Sequence, residues 1–176
     1  SRCLPFEENG FSGTFLSNIT TQGGAPSDCL AVLNALRLRP TFIASEDLKD
    51  LGKRKFQALL LPYNKAMAPA EATAIQHFVR NGGLVIADNE PGAFTQHGRA
   101  LENKRRLADL FPNFKEATVV QYGKGHAAYL PNGFNHFTRN LEAGEFAQAE
   151  PVGRLLAKFA GQNPPVELMD GSGQSR

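Results

Sequence analysis

Between Phe56 and Ala87 the chain reads FQALLLPYNKAMAPAEATAIQHFVRNGGLVIA: an apolar run closed by Leu61-Pro62, one amphipathic segment, Asn81-Gly82-Gly83, and a second apolar run. Unbroken apolar runs, as opposed to alternating ones, belong to strands covered on both faces, which is the condition of a parallel sheet. Parallel neighbours cannot be joined by a tight turn, so the chain between them must cross over. The intervening segment does so as a helix. Proline stands in its first turn, Ala70, Ala74, Ile75, Phe78 and Val79 lie near one face, and Asn-Gly-Gly ends it. The stretch is therefore one β-α-β unit.

The rest of the chain extends that unit. Residues 1–13 mix Gly, Pro and Asn with isolated phenylalanines and read as irregular, and Thr14–Thr20 has the β-branched character of a first strand. Pro26-Ser27-Asp28 supplies start residues for a helix through about Leu38, with Cys29, Leu30, Val32, Leu33 and Leu36 as its apolar positions. Thr41–Ala44 reads as a short strand, followed by a helical turn that Ser45 caps and Gly52 ends. Asp88–Ala100 is polar and contains glycine, a long loop leading to a basic helix through about Phe111. Thr118–Tyr122 and His126–Leu130 alternate around Gly123-Lys124-Gly125 as a hairpin, and helices are expected near Asn135–Leu141 and Glu145–Phe159.

This succession predicts a three-layer, flavodoxin-like α/β domain. Its sheet is mainly parallel, with helices on both faces and an antiparallel hairpin near the C-terminus. At 176 residues there is room for one such domain, placed at 14–167, with 168–176 as a flexible tail that begins a linker. The start at Ser and the polar ending Asp-Gly-Ser-Gly-Gln-Ser-Arg predict a piece of a longer protein.

Composition narrows the function classes. A net charge of +2 is too small for a nucleic-acid footprint, and Lys104-Arg105-Arg106 is flanked by Glu102 and Asp109, so nucleic acid is not an expected partner. The longest apolar runs fall far short of the ~18 residues of a membrane span, and the N-terminus shows no basic segment followed by an apolar one; a soluble protein is expected, its compartment open. Cys3 and Cys29 are too few for a disulfide framework, and Cys29 reads as a packing residue on the first helix. Among His77, His97, His126 and His136 no pair has the i, i+4 spacing of a helical metal site, and neither metal nor cofactor is expected. Gly123-Lys124-Gly125 is flanked by strands on both sides, whereas a phosphate loop runs from a strand into a helix.

Five stretches carry a resemblance. Phe56–Pro62 is similar to a "yklvivP" strand, Ile75–Ala87 to an "l..yV.nGG.lv" helix and strand, and Gly123–Leu130 to a "GkGkv.yl" hairpin. Pro151–Val166 is similar to a closing helix with a "PPV" exit, while Ser27–Leu48 resembles the first helix and the strand toward a "dl" turn. Together and in this order they resemble the class I glutamine-amidotransferase-like fold, and more narrowly the trimerisation domain of family 42 β-galactosidases. That resemblance implies a non-catalytic relative of the amidotransferases that assists subunit association while a separate barrel hydrolyses the sugar.

In an amidotransferase the turn after the second strand carries a nucleophilic Cys on a strained elbow, with backbone N–H groups beside the oxyanion. Here Asp88 and Asn89 occupy that turn, making it a degenerate elbow with no catalytic residue and no partner base at recognisable spacing. The expected function is thus an accessory domain of a larger carbohydrate-active or cell-surface protein. Its expected partners are further copies of itself or neighbouring domains, with carbohydrate as a ligand class. The loop Glu90–Ala100 and the phenylalanines from Phe134 to Phe159 are the expected contact surface. The competing reading is a small hydrolase or ligand-binding module built on the loop Asp88–Arg99, with Glu90, His97 and Arg99 as binding residues.

Overall fold

The structure is a computed structural model and describes residues 11–13, 25–51, 53, 56–102 and 105–162. In chain order its elements are β1 (Phe11–Gly13), α1 (Ala25–Ala35), β2 (Thr41–Phe42), a 3-10 helix (Ser45–Asp50), β3 (Ala58–Leu61), β4 (Ala66–Met67) and α2 (Pro69–Arg80). They continue with β5 (Leu84–Ala87), β6 (Phe94–Thr95), β7 (Thr118–Tyr122), β8 (Gly125–Tyr129), α3 (Phe137–Glu142) and α4 (Ala149–Ala160). Six strands form one sheet in the order β2-β1-β3-β5-β8-β7. All neighbours in it are parallel except the β7–β8 hairpin. From β1 the chain first goes outward to β2 and later to β3, β5 and β8 on the other side, the doubly wound pattern of flavodoxin-like sheets. β4 and β6 make a separate two-stranded ribbon.

The unit Phe56–Ala87 folds as its sequence demands. β3 and β5 pair in parallel with Leu59 opposite Val85 and Leu60 opposite Ile86, and every residue of both strands is buried. Successive side chains point to opposite faces, so one pattern feeds two cores. Ala58, Leu60, Leu84 and Ile86 join Val32 and Leu33 of α1 with Leu36 just after it, Phe134, Phe137 at the start of α3, and Val152 and Leu156 of α4. Leu59, Leu61, Val85 and Ala87 join Ile75, Phe78 and Val79 of α2 with Leu107, Leu110 and Phe111. Each large aliphatic side chain so enclosed contributes roughly 2 kcal/mol by leaving water. That explains why four-residue strands suffice in the middle of the sheet.

Two glycines fix how α2 meets the sheet. A side chain on Gly125 would run into the carbonyl oxygens of Val79 and Gly83, and one on Gly83 into the Phe78 ring. The end of α2 therefore lies directly on the entry of β5 and β8, closed by Gly83 N–H to Phe78 and His126 N–H to Gly83.

Several expectations shift. The strand beside β3 is Phe11–Gly13, inside the segment expected to be irregular, and Thr14–Thr20 lies outside the described residues, as does Gly52. The predicted basic helix before Phe111 is a series of turns at 105–111, because only isolated bonds such as Leu110 N–H to Leu107 close there. The 3-10 helix is preceded by Ala44 as its cap residue, whose N–H donates to Asp47 Oδ2 at 3.3 Å, in place of a Ser45 cap. The phenylalanines of the last helices are not surplus: Phe134 and Phe137 are fully buried and Phe159 stacks on His126 at 4.1 Å, leaving Phe146 as the exposed one.

Candidate functional site

Asp88 is the first residue after β5, at the carboxyl end of the parallel strands where sheets of this type bind ligands. Its side chain is not offered to solvent. The residue is 0% exposed, and its oxygens accept the backbone N–H of Tyr63 after β3 at 2.6 Å and of Phe134 after β8 at 3.2 Å. The carboxylate thus ties three neighbouring strand exits together. Among the described residues no cation lies within ion-pair distance of it; Lys65 acts only through its field, its ammonium lying 4.8 Å from the Tyr63 ring centroid. Burial therefore dominates and pushes the Asp88 carboxyl up to about 6 from its ordinary 3.8, against the lowering effect of its hydrogen-bond donors and Lys65. The Asn89 amide is near enough to favour the charged form, yet its Nδ2 completes no hydrogen bond.

The reversal after β5 falls on Asn89 and Glu90, with φ of 50° and 57°, and Tyr63 in the adjoining loop has φ 51°. L-residues rarely occupy this left-handed region, so the strand exits hold local strain. An elbow that serves catalysis continues into a helix whose first N–H groups face the oxyanion. Here the chain continues through Pro91, Gly92 and Ala93 into β6, where Gly92 N–H donates to Asn64 and Phe94 N–H to Lys65.

The other predicted site residues do not converge on Asp88. Glu90 pairs with Arg105 at 3.2 Å on a half-exposed surface. His97 and Arg99 sit on an exposed hairpin tip closed by Gly98 N–H to Thr95 and Thr95 N–H to Arg99. Among the described residues no hydrogen bond or ion pair joins either side chain to Asp88, Asn89 or Glu90. His136 is the left-handed, exposed cap residue of α3, and His77 is exposed on α2. No set of three His, Cys, Asp or Glu among the described residues is arranged to hold a metal ion, and no helix among them is long and apolar enough to cross a membrane.

Three residues that the sequence did not single out complete the cluster. Asn64, between Tyr63 and Lys65, is 0% exposed and neither Oδ1 nor Nδ2 has a partner among the described residues. Asn135 Nδ2 donates to Asn89 Oδ1 at 3.2 Å. Gln148 Nε2 donates to the carbonyls of Asn132 and Asn135. Asp28, expected only to start α1, instead accepts the N–H of His136 and of Thr138, each at 2.9 Å, and so caps α3 from another helix. The sole sequence signal was the density of Asn and Asp at strand exits, which marks turns as readily as sites.

No protein-family model and no curated protein sequence matches the chain. Solved structures do. A β-galactosidase from Bacillus circulans sp. alkalophilus superposes with a TM-score of 0.64 at 13% identity, over 94% of this chain and 33% of its own. Gan42B, a GH42 β-galactosidase, gives 0.55 at 13% identity, over 77% and 30%. The β-galactosidase of Rahnella sp. R3 gives 0.55 at 12% identity, over 69% and 28%. At such identities the likeness is one of fold, and the chain spans about a third or less of those galactosidase chains.

Proposed function

We propose that the chain is a non-catalytic accessory domain of a larger carbohydrate-active protein, related to the amidotransferase-like domain of family 42 β-galactosidases and serving subunit association or domain packing. The observation that carries this reading is Asp88. At the position of an elbow nucleophile stands a fully buried carboxylate whose oxygens are engaged by two backbone N–H groups, on a turn that enters a strand and not a helix. A nucleophile needs an exposed reactive atom, a base and preorganised oxyanion donors, and the surroundings of Asp88 favour none of these. The fold likeness to galactosidase chains about three times as long supports the accessory role.

Surfaces for association are the sheet edges β2 and β7, which expose Phe42 and Val119, together with Phe146 ahead of α4. A specific interface there is expected to bury at least about 1,000 Å² in total. Sedimentation velocity over a wide concentration range tests the association arm: a concentration-dependent oligomer supports it, and a strict monomer leaves domain packing as the role. Assays with glutamine and with chromogenic galactosides test the non-catalytic arm. Turnover that disappears in Asp88→Asn overturns it.

A further inference from the structure

The exits of β3, β5 and β8 hold an unusual amount of uncompensated polarity for a closed surface. Among the described residues Asp88 is a fully enclosed carboxylate without an ion pair, Asn64 has both side-chain atoms buried and unpartnered, and Asn89 Nδ2 is buried and unpartnered. All three sit in two loops whose backbones pass through the left-handed region at Tyr63, Asn89 and Glu90. Each such group is hydrated if the loops part, so the closed arrangement is opposed by the same atoms that line it. What keeps it closed is the carboxyl, through Tyr63 N–H and Phe134 N–H, together with the Asn135–Asn89 hydrogen bond and the backbone bonds from Gly92 N–H to Asn64 and from Phe94 N–H to Lys65.

We propose that these strand exits form a proton-operated latch: with the Asp88 carboxyl protonated the loops stay shut, and ionisation favours a local opening that brings water to Asp88, Asn64 and Asn89. Two effects of ionisation compete. A charged carboxylate strengthens its two hydrogen bonds, which favours closure, while burial penalises the charge, which favours opening. Burial wins, because the carboxyl is raised in spite of its hydrogen bonds and of Lys65. The surrounding charges do not reverse this. Glu90 on the same turn is neutralised by Arg105, Lys65 leans over Tyr63, and the neighbouring β8 side chain is Tyr129, whose phenol burial pushes above its ordinary range. His136, two residues beyond Phe134, is exposed, and its own N–H is held by Asp28.

The sign follows from linkage. A carboxyl at about 6 when closed and 3.8 when open binds its proton more tightly in the closed state, so acid shuts the latch. Between about pH 6 and about pH 4 the closed-to-open ratio rises about thirtyfold, toward a limit of about a hundredfold in stronger acid. Hydrogen exchange on the chain, corrected for intrinsic rates, reads this at Tyr63 and Phe134. The expected result is protection that grows by that factor on acidification in the wild type and stays flat in Asp88→Asn. Flat protection in the wild type, or the same rise in the variant, overturns the proposal. Carbon NMR titration of the Asp88 carboxyl gives a check independent of any variant: a midpoint near about 6 supports the latch, and one below about 4.5 overturns it.

Discussion

Asp28 and Asp88 hold the same stretch of chain from two elements, and they hold it differently. Asp28, on α1, places its two oxygens at 2.9 Å from His136 N–H and Thr138 N–H, at the start of α3, where a helix end favours negative charge. Asp88, at the end of β5, reaches Phe134 N–H at 3.2 Å and Tyr63 N–H at 2.6 Å, and among the described residues it faces no helix start and no paired cation. Both are buried, so burial alone does not separate a clasp from a burden. The difference lies in what faces the charge: a helix start satisfies it, whereas a strand exit lined with unpartnered carboxamides does not.

The sharpest way to break this comparison is to remove the clasp. Asp28→Ala strands two backbone donors and frees the entry of α3, and is expected to cost about 3 kcal/mol in urea unfolding. Asp88→Asn at neutral pH removes an uncompensated charge while losing one acceptor, and these offset to within about 1 kcal/mol. A loss as large as that of Asp28→Ala would make the two aspartates equivalent. Asn64→Leu replaces an unpartnered buried amide by a side chain of similar size and is expected to be neutral or to stabilise by about 1 kcal/mol. Glu90→Gln deletes a half-exposed ion pair with Arg105, with an expected change below about 0.5 kcal/mol. His97→Ala and Arg99→Ala, on the exposed hairpin tip, should lie within about 0.5 kcal/mol in either direction.

The sequence made the centre of the sheet legible because enclosure on both faces leaves a mark along the chain. β5 coincides with the apolar run Leu84–Ala87, β3 lies inside Phe56–Leu61, and β7 with β8 forms the expected hairpin around Gly123 and Lys124. β4 and β6 were not legible, since two-residue strands carry no periodicity. The turns at 105–111 bury Leu107, Leu110 and Phe111 at helical spacing without completing a helix, so the pattern reports the burial but not the backbone.

The candidate site was legible in position but not in wiring. Asp88 and Asn89 follow from where β5 ends. The partners of Asp88 are 25 and 46 residues away and those of Asp28 are 108 and 110 away, and no local rule links positions so far apart. Glu90, His97 and Arg99 were grouped by nearness in sequence; the pairing of β6 with β4 and the turn at Gly98 put His97 and Arg99 on a separate hairpin tip.

The central claim is that the Asp88 carboxylate, at the end of β5, is a buried, uncompensated charge. It is tested most directly by the unfolding free energy of wild type and Asp88→Asn from about pH 4 to about pH 7.5, the difference between the two curves cancelling the other titrating groups. A carboxyl raised from 3.8 to about 6 by folding lends stability below its unfolded value and loses it as pH rises through the folded one. The wild type is therefore expected to lose about 2.4 kcal/mol relative to the variant across that window. Parallel curves, or a wild type that gains stability over the variant as pH rises, would contradict it.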